Sequence, residues 1–433
     1  MPCEKRAHSS GGRSRLSRRE SGGSANLESP RPHRGQLNNV RPPLAEKVSK
    51  NRRLTRARLE STSIEQATPP LADARGSVAT SLTTHILAQL PPQSAIILIR
   101  LRSLGDTVLT TPALVLLHKA RPDLRLIPVL ERPFDALLEG NPAVSRILSV
   151  SRSAGTWQKW KLLEAIRREQ PQLCLNLHGG STSAWLTALS GARFRAGFGH
   201  FQQRFAYNVL IPRAQEILNR GPDDPVHTAE HLASAVFHLG VPVSGIPRAQ
   251  LSAGASPIED ARPYAVLHVT AAYFTKQWAS SKFWQTAEFL RRKGLEPVIL
   301  AGPGEDGVFA DFPGMKCFAG RPLSWVMSLI AGASLFVGND SGPAHIAAAF
   351  GVPVVVIFGS SNSQVWRPWK TAHEVVETAW DCKPCPGDRC YAFEEPRCIL
   401  SVEFEAVCAA IERLMPEMPH NQEHGPNRLV PAG

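Results

Sequence analysis

From about Ser94 onward, short apolar runs alternate with longer amphipathic stretches. Ala95-Ile96-Ile97-Leu98-Ile99 has no polar break, which is the pattern of a strand buried on both faces. Arg100 to Asp106 reads as the turn after it, and Thr107 to Ala120 as a helix. Further strands are expected at Leu126–Leu130, Ile147–Val150, Leu173–Leu177 and Arg195–Phe198. Between and after them, helical spacing occurs at Phe134–Glu139, Trp157–Glu169, Ser183–Leu189 and His227–Leu239.

Val241 to Arg262 is rich in Pro, Gly, Ser and Ala and reads as a linker. The alternation then restarts. Strands are expected at Tyr264–Val269, Pro297–Leu300, Leu335–Val337 and Val354–Phe358. Helices are expected at Ser281–Lys293, Leu323–Ala331 and Ala344–Phe350. Continuous apolar strands alternating with helices make parallel sheets covered on both faces. Two such runs predict an α/β protein of two Rossmann-like, doubly wound domains, 93–245 and 262–412, facing a central cleft. Ligands in such sheets bind at the C-terminal ends of the strands.

Charge alters this picture only outside the expected domains. The net charge is +12, and residues 1–75, with 16 Lys/Arg and 7 Asp/Glu, carry about +9 of it. That stretch is poor in aromatics and cannot bury enough apolar surface to fold alone. Residues 1–92 are therefore expected to be a disordered basic arm, and 413–433 a flexible tail. No nucleic-acid-binding motif accompanies the arm, so nucleic acid is not an expected partner. No stretch has the apolar length of a membrane span, and no apolar segment follows the basic start. A cytoplasmic location is the expectation.

Three strand-end corners carry the candidate chemistry. The first is Ser103-Leu104-Gly105-Asp106-Thr107. Gly105 lets the backbone turn tightly. Asp106 can cap the helix, or, from the strand tip, accept a proton as a general base. The second runs from His268 to Trp278, with Lys276 placed to neutralise a phosphate and Trp278 to pack. The third is Gly338-Asn339-Asp340-Ser341-Gly342-Pro343. N–H groups of Ser341, Gly342 and the first helical turn can cradle a phosphate, and Pro343 suits a turn that needs no N–H from it. Asp340 would be repelled by phosphate and is better suited to sugar hydroxyls, while His345 can cap, pack or touch the phosphate. Neither the Walker A loop nor the dinucleotide glycine fingerprint is present.

The stretches "ILIRLRSLGDTVLTTPAL" (97–114), "HVTAAYFTKQW" (268–278), "AGPGED" (301–306) and "FVGNDSGPAHIAAAFGVPVVVIFG" (336–359) resemble glycosyltransferase family nine, the lipopolysaccharide heptosyltransferases. The resemblance covers roughly residues 94 to 410. It implies the GT-B fold and an inverting, metal-independent transfer with no cofactor, the nucleotide sugar being a substrate. The donor it implies is ADP-heptose. The acceptor is a sugar on a lipid A–core precursor, with peripheral contact at the cytoplasmic face of the inner membrane. It puts the base on Asp106, the phosphate-neutralising lysine on Lys276, and the donor site on Asp340, Ser341, Gly342 and Pro343 with His345 beside them. Glu305 becomes a candidate for the ribose hydroxyls. His178-Gly179-Gly180, like Gly105, would lie on the acceptor side, although a tight turn explains the glycines equally well. Ala279 stands where the family usually has Pro.

Two other readings keep these residues: a nucleotide-sugar epimerase or hydrolase of similar architecture, and a non-catalytic nucleotide-binding module tethered by the arm. The pairing of Asp106 with Lys276 speaks against the module. Cys382, Cys385, Cys390 and Cys398 give C-x2-C-x4-C-x7-C. Thiolates so spaced can hold zinc or an iron–sulfur cluster, yet the second pair is not C-x2-C, and reduced thiols or an adventitious disulfide are expected. His227 and His231 lack the glutamate of a zincin motif and read as a helix face. Trp157, Trp160 and Lys161 read as packing, or as a hold on a lipid-linked acceptor.

Overall fold

The computed structural model describes residues 86–259 and 262–417. Most of the expected arm and tail lies outside them. The order begins earlier than the apolar pattern suggested. Ile86, Leu87 and Leu90 are buried in the first core cluster, and the Arg121 guanidinium donates to the carbonyls of Leu87 and Leu90.

The first sheet comprises β1 (Ala95–Ile99), β2 (Arg125–Arg132), β3 (Leu148–Ser151), β4 (Leu173–Asn176), β5 (Phe194–Phe198) and β6 (Val209–Ile211), in the order β3-β2-β1-β4-β5-β6. All its pairings are parallel. Its long helices are α1 (Leu104–Ala120), α2 (Thr156–Arg168), α3 (Ser181–Leu189) and α4 (Thr228–Leu239). The second sheet repeats the plan with β7 (Tyr264–His268), β8 (Glu296–Leu300), β9 (Lys316–Phe318), β10 (Leu335–Asn339), β11 (Val354–Phe358) and β12 (His373–Glu377), in the order β12-β11-β10-β7-β8-β9. It too is parallel throughout. Its long helices are α5 (Ser280–Arg292), α6 (Leu323–Ala331), α7 (Gly342–Phe350) and α8 (Phe404–Leu414).

Alternate residues of one strand serve opposite layers. Ile96 and Leu98 pack with Leu109, Leu117 and Val236 of α1 and α4. Ile97 and Ile99 pack with Leu162, Ile166 and Leu186 of α2 and α3. Each such side chain contributes about 1.5–3 kcal/mol on burial. The second sheet is covered likewise, by Phe283, Leu290, Val407 and Ile411 on one face and Met327, Ile330, Ile346 and Ala347 on the other. That last cluster also takes in Val108 of α1 and Leu137, so the two halves share a core.

In each sheet the strand order reverses once, between β1 and β4 and between β7 and β10. A crevice opens at such a switch point. The turns after β1, β4, β7 and β10 carry Asp106, His178, Lys276 and Asp340. The expected linker has neither helix nor strand over its described residues, yet it is anchored. Ile246 and Ala249 are buried. Gln250 N–H donates to Thr111 Oγ1 on α1 (2.9 Å), and Trp369 Nε1 donates to the Pro247 carbonyl (2.9 Å).

Candidate active site

At the first corner, α1 begins three residues before its expected start, at Leu104. Asp106 is thus inside the first turn. Its Oδ2 accepts from the N–H and the hydroxyl of Ser103, at 3.1 and 2.9 Å, closing a capping box. Its Oδ1 is paired with the guanidinium of Arg100, which also donates to the Leu177 carbonyl. Two hydrogen bonds and one ion pair therefore fix the carboxylate, and its side chain stays 15% exposed. Arg100 was passed over in the sequence as a turn residue. Its role depends on β1 and β4 being neighbours, which puts Leu177 within its reach.

The turn after β4 is built around Asn176. Its Oδ1 accepts from the N–H groups of His178 (2.9 Å) and Gly179 (3.1 Å). Gly179 has φ +73°, and the Phe201 ring fills the place of a Cβ, so no larger residue fits. The tight-turn explanation of these glycines is realised, and the turn also brings the His178 ring beside the first corner. Burial, then Arg100 and Arg102, push this imidazole down to about 4, so it is neutral at neutral pH.

In the second half, Lys276 ends a one-turn helix, Phe274–Lys276. Its Nζ lies 2.8 Å from Asp340 Oδ2, which also accepts from Ser361 Oγ at 2.5 Å. Lysine and aspartate, expected at separate tasks, thus form one ion pair, with Asp340 6% exposed. Asn339, the last residue of β10, accepts from the Trp278 N–H and donates to the Val269 carbonyl, which locks the Lys276 loop to the strand. Trp278 is buried against Phe283, as a packing residue. Ser341 is the N-cap of α7, Gly342 its first residue, and Pro343 sits in its first turn. Ser341 Oγ lies 3.1 Å from Nδ1 of His268, whose imidazole burial pushes down to about 4.

The two helix starts touch. A Cβ on Gly342 would lie 2.4 Å from Leu104 Cδ2, and one on Gly105 2.7 Å from His345 Cδ2. His345 is buried, and burial lowers its pKa while Asp340 and Asp106 pull the other way. One imidazole therefore lies within the field of a carboxylate from each half. Its Nδ1 has no hydrogen-bond partner among the described residues.

Glu305 turns back on its own loop, with Oε2 accepting from the Gly302 N–H at 2.9 Å. The cysteine segment folds over the donor-side strand ends, Cys385 N–H donating to the Ser360 carbonyl and the Gly387 carbonyl accepting from Thr275, next to Lys276. Cys382, Cys385, Cys390 and Cys398 are all free thiols, and burial pushes the Cys398 thiol up. Among the described residues no group of three or more His, Cys, Asp or Glu is placed to hold a metal ion.

The sequence profile of glycosyltransferase family 9 (heptosyltransferase) matches residues 159–393, more than half of the chain. The chain belongs to this family. As a family 9 glycosyltransferase it is an enzyme, and its two switch-point crevices are those of the GT-B fold. It is 28% identical over 342 residues to lipopolysaccharide heptosyltransferase 3 of Escherichia coli K12, covering 72% of this chain and 96% of that one. It is 26% identical over 314 residues to lipopolysaccharide heptosyltransferase 1 of Pseudomonas aeruginosa, covering 68% and 87%. The fold matches a family 9 glycosyl transferase from Veillonella parvula with TM-score 0.63 at 23% identity, over 75% of this chain and 98% of that one. It matches Escherichia coli ADP-heptose LPS heptosyltransferase II with TM-score 0.62 at 18% identity, over 75% and 99%. No described helix of this glycosyltransferase is long and apolar enough to cross a membrane.

Proposed function

We propose that this enzyme moves a heptose from ADP-heptose to a sugar of a lipopolysaccharide-core type glycolipid, with inversion at the anomeric carbon and without a catalytic metal. The carrying observation is the contact of α1 with α7, which brings Asp106 from one half and the Lys276–Asp340 pair from the other within electrostatic reach of His345. The names of the relatives supply the sugar and the acceptor class.

In this reading the acceptor hydroxyl attacks the anomeric carbon as the bond to the diphosphate oxygen breaks. The hydroxyl proton passes to Asp106, held in orientation by Arg100 and Ser103. The leaving diphosphate gains negative charge. It meets the ammonium of Lys276 and the N–H groups of Ser341 and Gly342, which have no intrahelical partner at a helix start. Stabilising charge that develops in the transition state is the largest single contribution such a site makes. Asp340 orients Lys276 and is left to meet sugar hydroxyls.

Product formation from ADP-heptose, measured with and without lipid A–core acceptor and with and without chelator, tests this. ADP release is expected only with acceptor, undiminished by chelator, with the anomeric configuration inverted by NMR. Asp106→Asn should keep donor affinity and lose about 100-fold or more in transfer rate. A variant that retains most of its rate removes Asp106 from the role of base, and ADP release independent of acceptor removes the transferase reading of the donor.

A further inference from the structure

Four of the most exposed large apolar side chains of the described residues lie together on the first half: Trp157 (70%), Phe205 (60%), Trp185 (57%) and Trp160 (55%). They are not misplaced core. Leu162, Leu163 and Ile166 already bury the inner face of α2, together with Leu186 of α3, against the sheet. Trp185 and Phe205 touch, with ring centroids 5.2 Å apart.

Topology gives these rings one address. In a parallel sheet every helix that follows a strand starts at the strand's C-terminal end. Trp157 and Trp160 are in the first turns of α2, Trp185 at the middle of the short α3, and Phe205 in the turn after β5. All four therefore rim the end of the sheet at which Asp106 and His178 sit. The segments around Trp157, Trp160 and Phe205 carry charge of one sign, although Asp106, Glu131 and Asp135 lie at the same end of the sheet. Residues 152–161 and 200–206 contain Arg152, Lys159, Lys161 and Arg204 and no Asp or Glu. All four cations are exposed, and Lys161 Nζ lies 5.1 Å over the Trp157 ring. The next carboxylate along α2, Glu164, is paired with Arg168 at 2.6 Å.

We propose that this rim is a membrane-docking surface, which seats the tryptophans at the headgroup level of an anionic phospholipid bilayer. Indole rings prefer that level, because one edge of the ring is polar and the body apolar. Lysines and arginines beside them are drawn by the negative potential of acidic lipids, and their stems extend along the apolar rings. The four exposed cations of segments 152–161 and 200–206 are complementary to such a surface. The cleft then opens toward the bilayer, so a glycolipid sugar enters without leaving its membrane. Only this orientation rests on the acceptor reading above, since binding to vesicles stands or falls by itself.

Co-sedimentation of the full chain with phosphatidylcholine vesicles, with and without phosphatidylglycerol, tests the surface. Wild type should sediment with the anionic vesicles and not with the neutral ones. Trp157→Ala/Trp160→Ala and Lys159→Glu/Lys161→Glu should each lower the partition by about tenfold. Both should transfer sugar to a soluble, deacylated acceptor at the wild-type rate. The basic segment at residues 1–75 is identical in all of them. Equal partition of wild type and variants would place binding in that segment or elsewhere and overturn the proposal. So would a wild type that stays in the supernatant. Loss of transfer to the soluble acceptor would show that these residues serve the cleft, and would overturn it as well.

Discussion

At the residue scale, the site works through pairs in which each member limits the other. Lys276 and Asp340 are a case: in the proposed reading a diphosphate would compete with Asp340 for the ammonium, while Ser361 keeps a second donor on the carboxylate. Lys276→Ala should therefore weaken ADP binding by about 1.5–3 kcal/mol, roughly ten- to a hundredfold, as measured by calorimetry. Unchanged affinity would take the lysine out of the phosphate site. Sequence motifs marked Asp106, Lys276 and Asp340 because each follows an apolar run in the turn at a strand end, with glycine beside Asp106 and Asp340. The partners were not visible. The Leu177 carbonyl anchors Arg100, and Ser361 reaches Asp340, only once strand order has set which turns adjoin. No spacing along one chain encodes that order.

At the element scale, the central strands and their helices were legible within a few residues, because strands buried on both faces read as unbroken apolar runs. The missed strands are β6, β9 and β12, with α8 the missed long helix. β6 and β9 have three residues each, and β12 is the polar-edged His-Glu-Val-Val-Glu. All three are sheet edges, where one side needs no apolar cover. The helix pair α1–α7 carries the sharpest test of packing. Gly342→Ala drives a methyl into Leu104 and should cost about 1–3 kcal/mol, read as a lower midpoint of thermal unfolding. Adding Leu104→Ala removes the Cδ2 and Cγ contacts with that methyl and leaves only the Cβ, at 2.9 Å. The double variant should then be more stable than the two single effects predict, and strict additivity would show that the helices do not press on each other there.

At the scale of the whole molecule, the halves are joined by more than the chain. His227, 3% exposed, caps α4 with Nδ1 accepting from the Ala229 N–H, while Nε2 lies 2.8 Å from the Arg367 carbonyl of the other half. The neutral ring with its proton on Nε2 satisfies both contacts. Burial is the main reason that its pKa falls from 6.5 to about 4. Between those two values the unfolded chain binds a proton that the folded chain refuses, so stability is complete above 6.5 and declines as pH falls toward 4. Urea unfolding across this range should show the decline, with a shallower slope in His227→Gln. Equal slopes would mean that other groups, such as His231 and His268, which are lowered to about 4 as well, account for it.

The strap from Val241 to Ile258 has a consequence for how the protein would break. Its first part is fastened to α1 through Thr111 and to the second half through Trp369, whereas Ser252 to Ala255 are exposed. A protease would meet a soft spot bracketed by clamps. One nick there would sever the polypeptide without parting its fragments, and the two pieces would travel as a single particle until denaturant released them.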